Sequence, residues 1–502
     1  MPADARHDSY DVVVVGAGLG GLSAAASLAR LGKGVLVVEQ HEGPGGYAHA
    51  FRRGEYTFDP AIHWTAQAHE GGILDAYLRA LGVRDRVEFV RSEVQYGVRF
   101  PGLASTYPTG VEEFIEANAR DTDDPDGFAQ FVRVCVDLTH ESRAAGIRVG
   151  LRDLDDAVKQ FPLAFKYRMA TAAEVIDEFV HDERGRALCG VIWPHLGVPP
   201  SRASFSVHAG QLVATLEDGP FYPRGSLQQL ADALVAAIEQ ADGELVYGTS
   251  VTAINTVRNR ITGVTLENGQ TVGAETVVSN ADGTWTYEHL AGLDGLPPAV
   301  VRQLRRLTPS ISAFLVYAAT TLDVRDLGHE VFLYRHWDHD QTFQDVLAGR
   351  PGGMWTAIPT IHDPSLAPPG EHLIVLSSLA PYDVGRPWQT ARERWTELML
   401  DELETMIPGV RDALTFVDSA SPLTLEHHTR NRGGAMYGWE LTPAQSLGKR
   451  LRQRTPIEGL FLAGHWSEPG SGSLRVIYSG IGAAQAISGI GDLPEFLAAL
   501  GA

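Results

Sequence analysis

The sequence predicts an α/β fold built on a parallel sheet, and three observations carry that prediction. Four valines at 12–15 run straight into a glycine-rich turn, Gly16-Ala17-Gly18-Leu19-Gly20-Gly21. A helix-prone stretch rich in alanine and leucine follows, to Arg30. A second apolar run, Val35-Leu36-Val37-Val38, then ends in Glu39, 39 − 21 = 18 residues past the last glycine.

Each element has a physical reason. A strand buried on both faces of a parallel sheet is continuously apolar. Gly16 turns the chain tightly out of the strand, Gly18 lets the backbone approach the phosphates, and Gly21 lets the helix lie close to the sheet. Free N–H groups and the dipole at the helix start favour an anion. An acid about 20 residues on suits ribose hydroxyls. Strand, turn, helix, strand and acid in register predict a dinucleotide site.

The chain has 502 residues, more than one domain's worth, so at least two packed units are expected. Its two cysteines, Cys135 and Cys189, build neither a disulfide framework nor a cysteine metal site, and a reducing compartment, the cytoplasm, is expected. The polar start lacks an apolar signal core. No stretch approaches the roughly 18 apolar residues of a spanning helix, so a soluble or peripherally membrane-associated protein is expected. A net charge of −21 argues against nucleic acid as a partner.

Further along, Gly43-Pro44-Gly45-Gly46-Tyr47 reads as a loop able to pass close to a cofactor, and Tyr56-Thr57-Phe58-Asp59-Pro60 as a short strand and turn. Residues 111–190 read as mainly helical and irregular. Leu227, Leu230, Ala231, Leu234, Ala237 and Ile238 recur at helical spacing, and Gly243 ends that helix. A strand at 245–247, a hairpin over 261–272 around Asn268-Gly269, and a buried strand at 276–280 follow. This block can complete the sheet begun by the first 95 residues. Strands at 311–318 and 372–377 and a long helix near 390–405 read as a substrate domain. Leu462-Ala463-Gly464-His465-Trp466 is a strand entering a glycine-rich loop, and Ser479-Gly480 opens a small-residue helix over 481–487.

The N-terminal fingerprint with Glu39, the Val278-Ser279-Asn280-Ala281 block and the Ala463-Gly464 to Ser479-Gly480 segment together resemble the flavin amine oxidase superfamily. Ser421-Pro422-Leu423-Thr424, Gly433-Gly434-Ala435-Met436-Tyr437-Gly438 and Tyr222-Pro223-Arg224-Gly225 are similar to the phytoene desaturase, carotenoid isomerase and retinol saturase group. The resemblance implies a two-domain flavoprotein. A Rossmann-type FAD-binding domain would be assembled from 8–95, 218–285 and 456–502. An α+β substrate-binding domain with a helical insertion would come from 96–217 and 286–455. Gly16, Gly18, Gly20 and Gly21 would hold the FAD pyrophosphate and Glu39 the adenosine ribose. Gly45 and Gly46 would pass the ribityl chain, Val251 would meet the adenine through its backbone, and Gly464, His465, Gly480 and Ile481 would approach the ribityl chain and flavin ring. The chain departs from the family pattern at Tyr47, Ala61 and His465.

The implied activity is FAD-dependent oxidation of a small lipophilic polyene-like or allylic substrate, most simply desaturation. Cis–trans isomerisation without net redox change, saturation, and a non-catalytic carrier resembling the Rab-GDI proteins are the alternatives. No second Gly-x-Gly-x-x-Gly follows a strand, so no separate NAD(P)H site is predicted and electrons would leave to oxygen, a quinone or another acceptor.

For chemistry, His63 is a proton acceptor candidate beside Trp64, or else a packed residue. His465 would touch the ribityl chain or act directly, with Trp466 stacking near the ring. No metal is predicted: Glu426, His427 and His428, read as a strand, would point to opposite faces. Arg430 and Arg475 would anchor a carboxylate or polar head group, or be surface arginines. The basic aromatic stretch from Lys159 to Arg168 would meet a membrane surface or form an ordinary helix with a packed aromatic face.

Overall fold

A computed structural model describes residues 5–147 and 158–502. Its first sheet grows from the valine run. Strand β1 (Ser9–Val15) is fully buried from Val12 to Val15 and pairs in parallel with β2 (Val35–Val38) on one side and Thr271–Ser279 on the other. Glu244–Val246 extends the sheet beyond β2, and Leu460–Leu462 beyond the end of Thr271–Ser279, both in parallel. Five parallel strands from three distant stretches of chain therefore make one sheet.

The strand Thr271–Ser279 serves two partners along one edge. Its second half pairs with Leu460–Leu462, and its first half pairs antiparallel with Arg260–Leu266. That strand in turn pairs with Val251–Val257, which the sequence reading had not singled out as a strand. The tight turn between them, Arg258-Asn259, has both φ angles positive, at 52° and 63°. Such a turn matches the twist of paired strands.

The first helix, Leu19–Arg30, is all small or apolar residues up to Ala29, and every residue from Leu19 to Ala29 is buried. Smallness lets a second helix touch it. A Cβ on Gly480 would run into the Gly20 carbonyl and approach Ser23 Cβ at 2.7 Å, so Gly480 sets the contact between Ser473–Ser488 and the first helix.

A second, seven-stranded sheet runs Leu414–Ala420, Ser312–Thr320, His372–Ala380, Met354–Ala357, Glu330–Leu333, Val94–Phe100, Leu103–Pro108. Only the pairing of Glu330–Leu333 with Val94–Phe100 is parallel. All nine residues of Ser312–Thr320 are buried, and alternate residues face opposite sides. Phe314 and Val316 pack beneath the helix Trp388–Met406 with Trp388 and Trp395. Ala313, Leu315 and Tyr317 join the core of the nucleotide-binding sheet, with Phe58 and Leu22. This shared core welds the two sheets together.

Asp59 ties the segment after Tyr56–Phe58 to the core. Its carboxylate accepts from Tyr222 Oη at 2.6 Å and from the Leu227 N–H at 2.9 Å. Burial pushes this carboxyl up to about 7 from an ordinary 3.8, against the pull of those two hydrogen bonds. Between about pH 4 and 7 the folded chain thus keeps a proton that the unfolded chain has released. Stability from this group falls as pH rises through that window and is level above it, by on the order of a few kcal/mol in all. Asp59→Asn is expected to flatten the decline of the melting temperature between pH 5 and 8; equal slopes in both proteins would disprove the assignment.

No helix among the described residues is long and apolar enough to cross a membrane. In the basic stretch, Phe161 and Tyr167 are buried, and Lys166 pairs with Glu178 at 2.6 Å. Phe165, between them, is half-buried.

Candidate active site

One cavity joins the ends of the first sheet to the face of the second. Its walls include Gly16, Gly18, Gly20, Glu39, Gly45, Gly46, Val251 and Gly464, and on the far side His63, Trp64 and His465. Gly21, Gly480 and Ile481 are not on the wall. Gly21 packs against Gly16 and Val14, Gly480 against Gly20, and Ile481 is 2% exposed within the core. The latter two lie one layer behind the cavity wall.

The glycines make room for a backbone cradle. A Cβ on Gly18 would lie 2.8 Å from Asn280 Nδ2, and one on Gly20 would lie 2.7 Å from both Asn280 Oδ1 and the Gly464 nitrogen. The Asn280 side chain therefore sits between three segments: the fingerprint, its own strand end and the C-terminal loop. Gly45, at φ 121°, donates its N–H to the Ala17 carbonyl at 2.8 Å and lays the Gly43–Tyr47 segment alongside. The first helix has no side-chain cap, because its cap is Gly18. Its first-turn N–H groups are left for an anion.

Glu39 stands at the end of β2 as the fingerprint requires. Its carboxylate accepts from the Ala17 N–H at 2.6 Å and the His41 N–H at 2.9 Å, and it is 7% exposed on the cavity wall. Val251 opens its strand next to this end, where the Thr249 N–H donates to the Glu39 carbonyl at 3.2 Å. Cradle, open helix start and acid together fit a dinucleotide.

The other half of the cavity is built from both sheets. Residues 59–66 are strapped in place: Tyr317 Oη donates to the Pro60 carbonyl at 2.9 Å, and Thr65 and Phe221 exchange backbone hydrogen bonds at 2.8 and 2.9 Å. His63 and Trp64 reach the wall from this strap. His63 Nε2 is buried without a partner among the described residues, and burial pushes its imidazole down to about 4. It is a neutral acceptor at physiological pH.

Facing it is a pair the sequence reading missed. His195 Nε2 lies 3.1 Å from Glu330 Oε1, and both side chains are almost wholly buried. Burial works to raise the Glu330 carboxyl, but His195, His329 and His63 outweigh it and hold the carboxyl below its ordinary range. His195 sits on the short turn Trp193–Leu196, fixed by Tyr437 Oη donating to the Pro194 carbonyl at 2.8 Å. Glu330 opens the buried strand Glu330–Leu333. A lone acid heading an apolar run was its only signal in the sequence, and His195 had none.

His465 is on the wall, and burial, with the Arg450 charge beyond it, drives its imidazole down to about 3. Trp466 is not beside the ring site. It is 1% exposed in the core, crossed at 4.7 Å by Trp439, and its Nε1 donates to Asn431 Oδ1 at 2.8 Å. Glu426, His427 and His428 lie on a helix, Pro422–Thr429, not a strand, because Ser421 and Thr424 form its capping box and Pro422 its first residue. Among the described residues no three His, Cys, Asp or Glu side chains are placed to share a metal. Arg430 is exposed at the rim, whereas Arg475 lines the cavity rather than the outer surface.

A parallel nucleotide-binding sheet with this cradle, set against a second mixed sheet that closes a cavity, defines an FAD-dependent oxidoreductase. The chain belongs to the flavin containing amine oxidoreductase family, whose pattern matches residues 19–488. It is similar to an all-trans-retinol 13,14-reductase of Danio rerio, 25% identical over 91% of this chain and 82% of the relative. It is also similar to a phytoene dehydrogenase of Streptomyces griseus, 30% identical over 95% of each chain. A chloroplastic prolycopene isomerase of Daucus carota is 24% identical, over 95% of this chain and 79% of the relative. Among solved structures, an oxidoreductase from Methanosarcina mazei shares the fold at a TM-score of 0.64 and 19% identity, covering 95% of this chain and 99% of that one.

Proposed function

We propose that this flavoprotein dehydrogenates a lipophilic polyene-like or allylic substrate, in the manner of a phytoene desaturase. The observation that carries the reading is the Glu330–His195 pair, set in a wall otherwise formed by Ala61, Ile62, Trp64, Leu196, Trp355 and Met436. Such apolar stretches of wall strip water from an apolar chain and present the pair to it.

FAD, when bound, supplies the hydride acceptor. Gly16, Gly18 and Gly20 would hold its pyrophosphate, and Glu39 would hold its ribose hydroxyls. Removing a hydride from one carbon leaves a proton to be lost from the next. His195 accepts that proton, and Glu330 orients the imidazole and stabilises its charge. His63, neutral and unpartnered, completes the polar side of the wall without competing for charge. Isomerisation needs no such acceptor, which is why dehydrogenation is preferred although one relative is named an isomerase.

An anaerobic absorbance titration with a panel of polyenes, followed by mass analysis, tests this. Bleaching of the oxidised flavin band with a product two hydrogens lighter is the expected result. An isomerised product of unchanged mass, formed only after the flavin is chemically reduced, would replace the reading with the isomerase. Protein without a flavin band even after FAD is added would leave the carrier reading.

A further inference from the structure

Arg475 lines the cavity with no counter-ion among the described residues. Arg475 is the third residue of the helix Ser473–Ser488, and its side chain is on the cavity wall. Its one hydrogen bond is long: Nη2 to the Val207 carbonyl at 3.5 Å. No carboxylate among the described residues pairs with it, and burial alone lowers its guanidinium to about 10, which leaves it cationic at neutral pH. Space has been kept for it, since a Cβ on Gly210 would come 3.1 Å from Nη2.

Arg450, which is 1% exposed, differs in that both its terminal nitrogens are engaged, although its Nε has no partner among the described residues. Arg450 donates from Nη1 to the His465 carbonyl at 2.6 Å and from Nη2 to the Trp439 carbonyl at 2.7 Å. It is a strut between loops and is not on the cavity wall. Among the described residues Arg475 has only that long hydrogen bond, and it lines the cavity. A partly buried cation without a counter-ion is costly to keep.

The backbone adds to the same spot. The helix cap is Gly472, at φ 113°, with no side-chain hydrogen bond to the first turn. Ser473 turns its hydroxyl away, to Trp64 O at 3.3 Å and Thr65 Oγ1 at 3.2 Å. The first N–H groups of a 16-residue helix therefore open beside the guanidinium. This is not the pyrophosphate cradle. The Gly480–Gly20 contact lies five residues further along the helix, about 7–8 Å away at the helical rise.

We infer that the Arg475 side chain binds the carboxylate of an apolar acid, so that the substrate is a polyene acid rather than a neutral hydrocarbon or alcohol. The planar guanidinium takes a carboxylate through two parallel hydrogen bonds. Leu474, Val476, Ala214 and Leu441 line the wall around it and receive the adjoining chain. This inference rests on reading the cavity as a polyene site.

The test is equilibrium binding to the FAD-loaded protein, wild type against Arg475→Met, with three probes: all-trans retinoic acid, retinol and palmitate. Methionine keeps the length and apolar stem, and an unchanged flavin spectrum and melting temperature show that the variant folds. The expected result is that wild type binds retinoic acid at least tenfold more tightly than retinol. Arg475→Met should lose that preference while retinol affinity stays within about twofold. Equal binding of acid and alcohol by wild type, or a preference that survives in Arg475→Met, would overturn the inference. So would a variant whose flavin potential falls while the acid preference stays, since the guanidinium would then serve the cofactor. Arg475-dependent binding of palmitate with no binding of either retinoid would uphold the carboxylate site and defeat the polyene reading instead.

Discussion

Gly20→Val is expected to give a colourless protein. The position has no room for any side chain, because even a Cβ would stand 2.7 Å from Asn280 Oδ1 and 2.7 Å from the Gly464 nitrogen. The second of these is backbone, held where the Ala463 N–H donates to the Ser279 carbonyl at 2.9 Å. Relief must come from pushing the C-terminal loop off the fingerprint, which opens the cradle. Forcing extra atoms into a packed site typically costs about 1–3 kcal/mol. The fall in FAD affinity is expected to be tenfold or more, since about 1.4 kcal/mol is one decade. Flavin absorbance per chain after purification measures it. Gly43→Ala is the control, because nothing lies within 4 Å of its Cβ. Full flavin occupancy in Gly20→Val would remove Gly20 from the cofactor site.

Glu330→Gln is expected to keep the flavin and lose the reaction. Glutamine preserves the shape and one acceptor for His195 but removes the charge that stabilises a protonated imidazole. General-base contributions of this kind are about 10²–10⁴ in rate. The expectation is a fall of about 10²-fold in kcat, with KM and flavin content little changed. The split matters: the carboxylate is buried, so a purely structural role would show first as lost stability and lost flavin. His195→Gln should match it in kcat, and the double variant should be little worse than either single one, because the two side chains act as a unit. A threefold or smaller effect of Glu330→Gln on kcat would remove the pair from the chemistry.

The cofactor half of this site was legible because its determinants are local. A turn that must carry no side chains has to be written as Gly16, Gly18, Gly20 and Gly21, and a strand buried on both faces has to be written as valines. The ribose acid follows from counting residues. Gly480 was legible as a residue of close approach but misplaced, since spacing alone does not say whether a small residue faces a ligand or a neighbouring helix. Trp466 was misplaced for a similar reason: a tryptophan in a cofactor loop has two sides, and this one turned to Trp439 and Asn431.

What the sequence by itself determined is a parallel nucleotide sheet, its glycine turn and its acid, because period, spacing and backbone freedom act over a few residues and leave their mark in order. What only the tertiary structure decided is the reacting half. Glu330 and His195 lie 135 residues apart by their numbers and meet at 3.1 Å only because Glu330–Leu333 pairs with Val94–Phe100 beneath the turn at Trp193–Leu196. Arg475 is one arginine among many until the helix carrying it is pinned against Gly20 and its guanidinium is left facing the cavity. Burial, and the loss of water that makes a pair or an unpaired charge matter, is a property of the whole packed chain and is not written at any single position.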